Sequence, residues 1–164
     1  METNYKEYYH AQLDEAHEFQ DYCTEWLLKE LGIAITNYQS KKYQYNSGEN
    51  PQGLEIKLDK RYKETGNLYI ETAEKSNPQN QNYIKSGIYR LDNSWLYAIG
   101  DYDCIWIFAK KLLVGMDEIK KYKEVRTATS IGFLLSLKEA DKYCAKRLLL
   151  IDKGVHKITN SNLS

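Results

Sequence analysis

The spacing of apolar residues predicts one long helix near the start of the chain. Between residues 8 and 31, apolar side chains recur at steps of three and four, which places them on one side of a helix. The residues on this face are Leu13, Ala16, Phe19, Cys23, Trp26, Leu27 and Leu31. Gly32 follows directly, and glycine commonly ends a helix because it adopts left-handed backbone angles without a steric penalty. The pattern therefore predicts a helix over 8–31 with one buried face.

Shorter apolar patterns predict strands in the middle of the chain. Residues 54–58 alternate between apolar and charged, as a half-buried strand does. The segments 33–38 and 68–73 are rich in apolar residues and predict two more strands. The apolar runs 95–99 and 104–109 are separated by four residues, which favours a β-hairpin.

The remaining segments predict loops, two helices and a weak strand. Polar stretches at 39–52 and 76–87 indicate loops, and the second is long enough to suggest a function. Helices are expected over 110–122 and 136–150, and Ser136 can cap the second of these. Residues 127–135 are weakly strand-like. A helix, a series of strands and further helices together indicate a layered α/β domain with one mixed sheet.

Length and charge narrow the range of functions. The chain has 164 residues, which suits a single domain over 1–164 with a polar tail from about residue 159. Its 23 Lys and Arg residues balance its 23 Asp and Glu residues, which argues against a uniformly basic protein that coats nucleic acid. Apolar runs of at most six residues predict no membrane span. Three separated cysteines and the lack of a signal-peptide pattern favour a reducing cytoplasm.

Candidate chemistry concentrates at 49–57, where two acids and a lysine stand in close order. Glu55 and Lys57 point to the same face of the predicted strand because its side-chain period is two. Glu49 lies on the preceding loop, close enough to turn its carboxylate toward Glu55. Two converging carboxylates require a proton or a cation between them, and oxygen ligands suit Mg²⁺. A neighbouring lysine can orient a metal-bound water and stabilise negative charge, so the group indicates metal-assisted phosphodiester hydrolysis.

These residues resemble the signature of a known nuclease superfamily. Glu49, five intervening residues and then Glu55-Ile56-Lys57 are similar to the PD-(D/E)xK, or restriction-endonuclease-like, pattern. Residues 53–57 resemble the compact form seen in methyl-directed mismatch-repair endonucleases. The segments 55–59, 65–71 and 86–88 resemble small phage-type members, and Lys110-Lys111 fits the same pattern.

The resemblance implies a fold, an activity and a set of roles. The fold would be a single three-layer α/β domain with a central mixed sheet flanked by helices. The activity would be that of a deoxyribonuclease dependent on Mg²⁺ or Mn²⁺, with DNA as partner. Glu49 and Glu55 would hold the metal, Lys57 would position the attacking water, and Glu71 would support the site. Two copies would pair where two strands must be cut.

The sequence departs from the family pattern at two points. The first acid is Glu49, where the family mostly has Asp, so this side chain is longer by one methylene. The family also often carries a glutamate on its first helix. Glu15 and Glu30 lie nearest the apolar face of the helix predicted here and are the candidates for that role.

A basic cluster beside the predicted site suggests contacts with DNA. Lys60, Arg61 and Lys63 follow the strand that carries Glu55. Next to a centre that cuts phosphodiester bonds, such residues commonly contact the DNA backbone. In the alternative interpretation these three residues bind no DNA and are simply charged side chains on a solvent-exposed turn.

Two alternatives remain open. In a second alignment Glu55 is the first acid and Glu71 the second, so Lys75 would have to act as the lysine because Ala73 occupies its place. In function, the chain could be a non-catalytic DNA- or protein-binding module that retains the nuclease fold. A dimeric scaffold built on the strands rich in Tyr and Trp has only the aromatic content in its favour.

Overall fold

Five helices and eight strands make up the computed structural model, which describes residues 5–38 and 40–150. The helices are α1 (Tyr5–Leu31), α2 (Lys41–Ser47), α3 (Tyr62–Thr65), α4 (Lys110–Glu118) and α5 (Leu137–Tyr143). The strands are β1 (Leu54–Leu58), β2 (Asn67–Glu74), β3 (Ile84–Lys85), β4 (Leu96–Gly100), β5 (Cys104–Ala109), β6 (Glu124–Arg126), β7 (Ser130–Ser136) and β8 (Lys146–Leu149). The prediction of an α/β domain is confirmed. The predicted tail from residue 159 lies outside the described residues.

Helix α1 has the buried face that its apolar spacing predicts. Phe19, Cys23 and Leu27 are each at most 2% exposed, and they pack against apolar side chains of β1, β4 and β5. Gly32 has a φ of 66° and donates its N–H to Leu28 O over 3.0 Å, which ends the helix. Although α1 is long, no helix in the described ranges is apolar enough to cross a membrane.

The strands of the described residues form two sheets of four, where the sequence predicts a single one. The mixed sheet has the order β1-β4-β5-β8, and β1 runs parallel to β4. The antiparallel sheet has the order β3-β2-β7-β6. Local apolar patterns identify strands without recording their partners, so the separation of β2 and β7 from the mixed sheet could not be foreseen.

The mixed sheet separates two layers of core, and this arrangement positions Glu55 and Lys57. Helix α1 covers one face, which carries Ile56 and Ala98. The other face carries Tyr97 and packs with side chains of the antiparallel sheet and of α4 and α5. In register, Glu55 stands beside Tyr97 and Lys57 stands beside Ile99. Both charged residues therefore face the antiparallel sheet.

Several local predictions are confirmed. Strand β1 has the predicted bounds, and the hairpin of β4 and β5 differs by one residue in its first strand. Strand β2 extends the predicted 68–73 by one residue on each side. The Ser136 side chain accepts the N–H of Glu139 over 3.3 Å, so it caps α5 as expected.

Other local predictions are wrong. Residues 33–38 pair with no strand of the described chain, although Ile35 is buried and Tyr38 N–H donates to Glu49 O. The expected loop at 39–52 contains α2. The helix predicted over 136–150 divides into α5 and β8, because Leu148 enters the core and pairs with Ile105 of β5.

Candidate active site

Two hydrogen bonds of the Asn50 side chain hold the loop that carries Glu49 against β1. The buried Asn50 accepts the N–H of Leu54 over 3.0 Å and donates to Leu54 O over 2.7 Å, which closes the loop in front of the strand. The Glu49 carboxylate then accepts the N–H of Ile56 through Oε2 at 2.9 Å. Glu49 is 7% exposed. The carboxylate is therefore turned back to the backbone of β1, the strand that carries Glu55.

Glu55 lies at the centre of the site, between two lysines. Its Oε1 is 3.1 Å from Lys57 Nζ, and its Oε2 is 3.3 Å from Lys110 Nζ. The side chain is 1% exposed, and neither oxygen accepts a hydrogen bond of ordinary geometry from the described residues. Two ammonium groups therefore supply the compensation that a buried carboxylate requires.

Glu71 reaches the site from the antiparallel sheet. It shares a face of β2 with Asn67 and Tyr69, as the strand period predicts, and all three line one cleft with Lys57. Ser86 Oγ donates to Glu71 Oε1 over 2.8 Å. The carboxylate is therefore held in place by the end of the polar stretch 76–87, whose length suggested a function.

Burial and repulsion from neighbouring acids raise the pKa of two carboxyl groups at the site. Burial raises the pKa of Glu49 to about 7, and the Glu55 charge adds to this, while Lys57, the Ile56 N–H and Arg90 oppose it. Burial also raises the pKa of Glu71, against the opposing effects of Lys57 and the Ser86 hydroxyl. For Lys57, burial lowers the pKa, but Glu55 and Glu49 outweigh it and hold the pKa well above its usual value. Lys57 is therefore a cation at neutral pH and not a proton acceptor.

Two clefts meet at Lys57. The larger, of about 690 Å³, is bordered by Lys57, Asn67, Tyr69 and Glu71 among others. The smaller, of about 410 Å³, is bordered by Lys57 and Glu49 together with residues of α1. The Lys57 side chain is 34% exposed, whereas Glu55 lines neither cleft. A ligand in either cleft could thus contact Lys57, whereas Glu55 lies behind the lining of both clefts.

The two candidate helix carboxylates occupy different places. Glu15 lines the smaller cleft, where it forms an ion pair with Lys60. Glu30 is exposed, lines neither cleft and lies 15 residues further along α1, roughly 22 Å at 1.5 Å per residue. The structure therefore brings Glu15, and not Glu30, to the edge of the site.

Each predicted DNA-contacting cation is paired with an acid. Lys60 pairs with Glu15, and Arg61 lies 3.7 Å from Glu64. Lys63 Nζ is 2.6 Å from Asp101 Oδ2 and also pairs with Asp103. Lys60 and Arg61 line the larger cleft, but Lys63 does not.

The lysine of the alternative alignment is engaged elsewhere. Lys75 Nζ donates to the carbonyl oxygens of Pro78 and Asn80, each over 2.9 Å, and lies 4.8 Å from the centre of the Tyr83 ring. It stabilises the loop after β2 and lines neither cleft. The geometry therefore favours Lys57 as the lysine that accompanies the acids.

Lys110, which fits the family pattern in sequence without a defined role there, contacts Glu55 directly. Lys110 begins α4 and is 6% exposed, and its Nζ is 3.3 Å from Asp92 Oδ1 as well as from Glu55. One signal could have drawn attention to it. A lysine in the first turn opposes the helix dipole, so this position is unfavourable unless an acid compensates it.

Carboxylate oxygens are the candidate donors for a hard divalent cation at this site. Glu55 presents two carboxylate oxygens without hydrogen bonds, and Glu49 has one oxygen beyond the one bound to Ile56 N–H. Within 5–38 and 40–150, no cluster of three or more His, Cys, Asp or Glu side chains could hold a metal. Mg²⁺ commonly uses one or two carboxylates and completes its coordination with water and substrate phosphate. Glu49 and Glu55 are the two carboxylates of the site that could supply such ligands.

Comparisons with known proteins found no relative. No family model, no curated protein and no solved structure matches this chain. The chemistry of the site must therefore be inferred from its own carboxylates, lysines and clefts.

Proposed function

We propose that this protein is a metal-dependent deoxyribonuclease that hydrolyses DNA phosphodiester bonds. One observation carries the proposal: Glu55 and Lys57 form a 3.1 Å ion pair on one strand face, with Glu49 bound to the intervening Ile56 N–H. Two carboxylates and a lysine are thus gathered at one strand, and the lysine lies where two clefts meet. A mixed sheet that bears this strand, with α1 packed on its far face, supports a restriction-endonuclease-like fold.

Each residue would have a distinct role. Glu49 and Glu55 would hold Mg²⁺ or Mn²⁺, which would supply Lewis acidity and a nucleophilic hydroxide when bound. Lys57 would bind the scissile phosphate as a cation and stabilise the negative charge that develops on its oxygens. Glu71, held by Ser86, would stabilise Lys57 from the opposite sheet.

The acids near Lys57 also bear on how DNA binds. Lys60, Arg61 and Lys63 are each paired with carboxylates, so they offer little uncompensated positive charge to a phosphate backbone. A divalent cation that neutralises Glu49 and Glu55 would remove repulsion at the site. DNA should therefore bind more tightly in Ca²⁺ or Mg²⁺ than in EDTA.

Cleavage assays test the proposal. Single-stranded, duplex and branched DNA would be incubated with wild-type protein and Mg²⁺ or Mn²⁺, and then with Glu55→Gln and Lys57→Met. Each variant should lose about 100-fold or more in rate, because each removes a group that acts on the transition state. Glu118→Gln and Lys111→Met, which change exposed residues of α4, are the matched controls and should cut normally. A wild-type protein that cuts none of these substrates would contradict the proposal.

The non-catalytic module is the second candidate. It is favoured by the fact that both Glu55 oxygens already face lysine ammonium groups. Calorimetric titration with Mn²⁺ separates the two functions. Heat that disappears in Glu49→Gln and Glu55→Gln supports the nuclease, whereas wild-type protein that gives no heat supports the module.

A further inference from the structure

Lys110 is the most deeply buried cation among the described residues and lies at the centre of a polar network. Its side chain is 7% exposed, and its Nζ is 3.3 Å from Glu55 Oε2 and 3.3 Å from Asp92 Oδ1. It also donates to Arg90 O and to the Ser94 hydroxyl. Burying a lysine is costly, and here the cost is offset by two carboxylates that are each 1% exposed.

The network extends from Glu55 to the wall of the smaller cleft. Asp92 accepts the N–H of Ser94 at 2.9 Å, and its other oxygen is 3.3 Å from Arg90 Nε. Arg90 in turn donates to Gln44 O over 2.7 Å, which connects the network to α2, and it lines the smaller cleft beside Glu49. Lys110 is thus fixed from several directions and has little freedom to leave Glu55.

The two lysines that form ion pairs with Glu55 differ in how accessible they are to a ligand. Lys57 is 34% exposed and lines both clefts, whereas Lys110 lines neither. Lys57 is therefore accessible to a phosphate in either cleft, whereas Lys110 is not. If Lys110 were absent, Lys57 would be the only counter-charge of a buried carboxylate and would be held to it.

We propose that Lys110 is a positioning residue, which holds the Glu55 carboxylate in place so that Lys57 is free to contact the substrate. This inference rests on the proposed function, since it assigns Lys57 to the phosphate and Glu55 to the metal. It adds a fifth residue, from the start of α4, that acts on the reaction only through Glu55.

Steady-state cleavage by Lys110→Met and Lys110→Arg, with Lys111→Met as the control, tests this role. Lys110→Met should lower kcat about 10- to 100-fold, the usual effect of removing a partner of a metal ligand. Its KM for DNA should stay within about twofold of wild type, because Lys110 lines neither cleft. Mn²⁺ affinity, measured by calorimetry, should weaken about 10-fold, and Lys110→Arg should recover part of both losses because it keeps the charge.

The outcomes separate this role from a purely structural one. If kcat falls only in proportion to the unfolded fraction seen by circular dichroism, or if Mn²⁺ affinity is unchanged, the inference is overturned. Should Lys110→Met fail to fold, the double variant Glu55→Gln/Lys110→Met decides the question. If the double variant folds, the main task of Lys110 is to compensate the charge of Glu55, as the inference requires. If the double variant still does not fold, the main task of Lys110 is to compensate Asp92, and the inference is overturned.

Failure of the proposed function would look different. Wild-type protein that neither binds Mn²⁺ nor cuts DNA overturns the nuclease itself. An active wild type whose Lys110→Met variant keeps normal kcat and Mn²⁺ affinity overturns only the role of Lys110.

Discussion

Glu49→Gln should stabilise the protein at alkaline pH and change little at acidic pH. Burial is the main cause that raises the pKa of this carboxyl from 4.5 to about 7 in the folded protein. Glutamine has nearly the same shape, stays neutral at every pH and can accept the same hydrogen bond from Ile56 N–H. The substitution therefore removes the charge while it keeps the local contact.

The sign and size of the effect follow from proton linkage. Between pH 4.5 and about 7 the folded protein binds more protons at Glu49 than the unfolded chain does, so wild-type stability falls as pH rises through this window. A difference of about 2.5 pKa units, at about 1.4 kcal/mol each, amounts to about 3 kcal/mol above pH 7. Glu49→Gln should thus exceed wild type by under about 1 kcal/mol at pH 5 and by about 3 kcal/mol at pH 8.

Guanidinium chloride unfolding at pH 5 and pH 8 measures both free energies, with tryptophan fluorescence as the signal. Glu118→Gln, which neutralises an exposed acid, should show no comparable difference between the two pH values. If Glu49→Gln raises the free energy of unfolding equally at both pH values, or not at all, then burial in the folded protein does not raise the pKa of Glu49. The reasoning from burial would then be refuted.

Three further perturbations test other parts of the site. In the proposed function Mn²⁺ would compete with a proton for Glu49, so calorimetry should show the Mn²⁺ affinity weakening as pH falls below about 7 and a nearly flat profile above it. Asn50→Ala removes both hydrogen bonds to the Leu54 backbone and should lower the free energy of unfolding by about 3 kcal/mol in denaturant titrations. A loss below about 1 kcal/mol would show that these two bonds contribute little to stability. Gly87 has a φ of 52°, and a Cβ there would overlap the carbonyl oxygen of Glu71. Gly87→Ala should therefore lower thermal stability by about 1–3 kcal/mol, and an unchanged melting temperature would count against this close approach.

Local periodicity was sufficient to predict the elements that bury one face. The apolar spacing of α1 predicts the buried positions of Phe19 and Leu27, because a helix places such residues on one side whatever it packs against. The alternation in β1 likewise places Glu55 and Lys57 on one face. These relations depend only on the geometry of a single element.

Contacts between distant segments could not be predicted in this way. Lys110 meets Glu55 because β1, β4 and β5 are neighbours in one sheet, and no spacing along the chain records that distance. Residues 146–149 do not alternate in polarity, so their pairing with β5 was hidden within a pattern that resembles an amphipathic helix. The same limitation explains why one sheet was expected and two are present.

The division of the site between two sheets has a consequence for the order in which the chain assembles it. Glu49, Glu55 and Lys57 all lie before residue 58, but β2, which carries Glu71, pairs along its length with β7. The partner of Glu71 in that ladder is Gly132, sixty-one residues later. Pairings over such separations are slow because a long loop must close first. A nascent chain from which β7 has not yet emerged therefore holds Glu49, Glu55 and Lys57 but lacks the strand that secures Glu71, and this fourth charged group joins the others only after β7 is available.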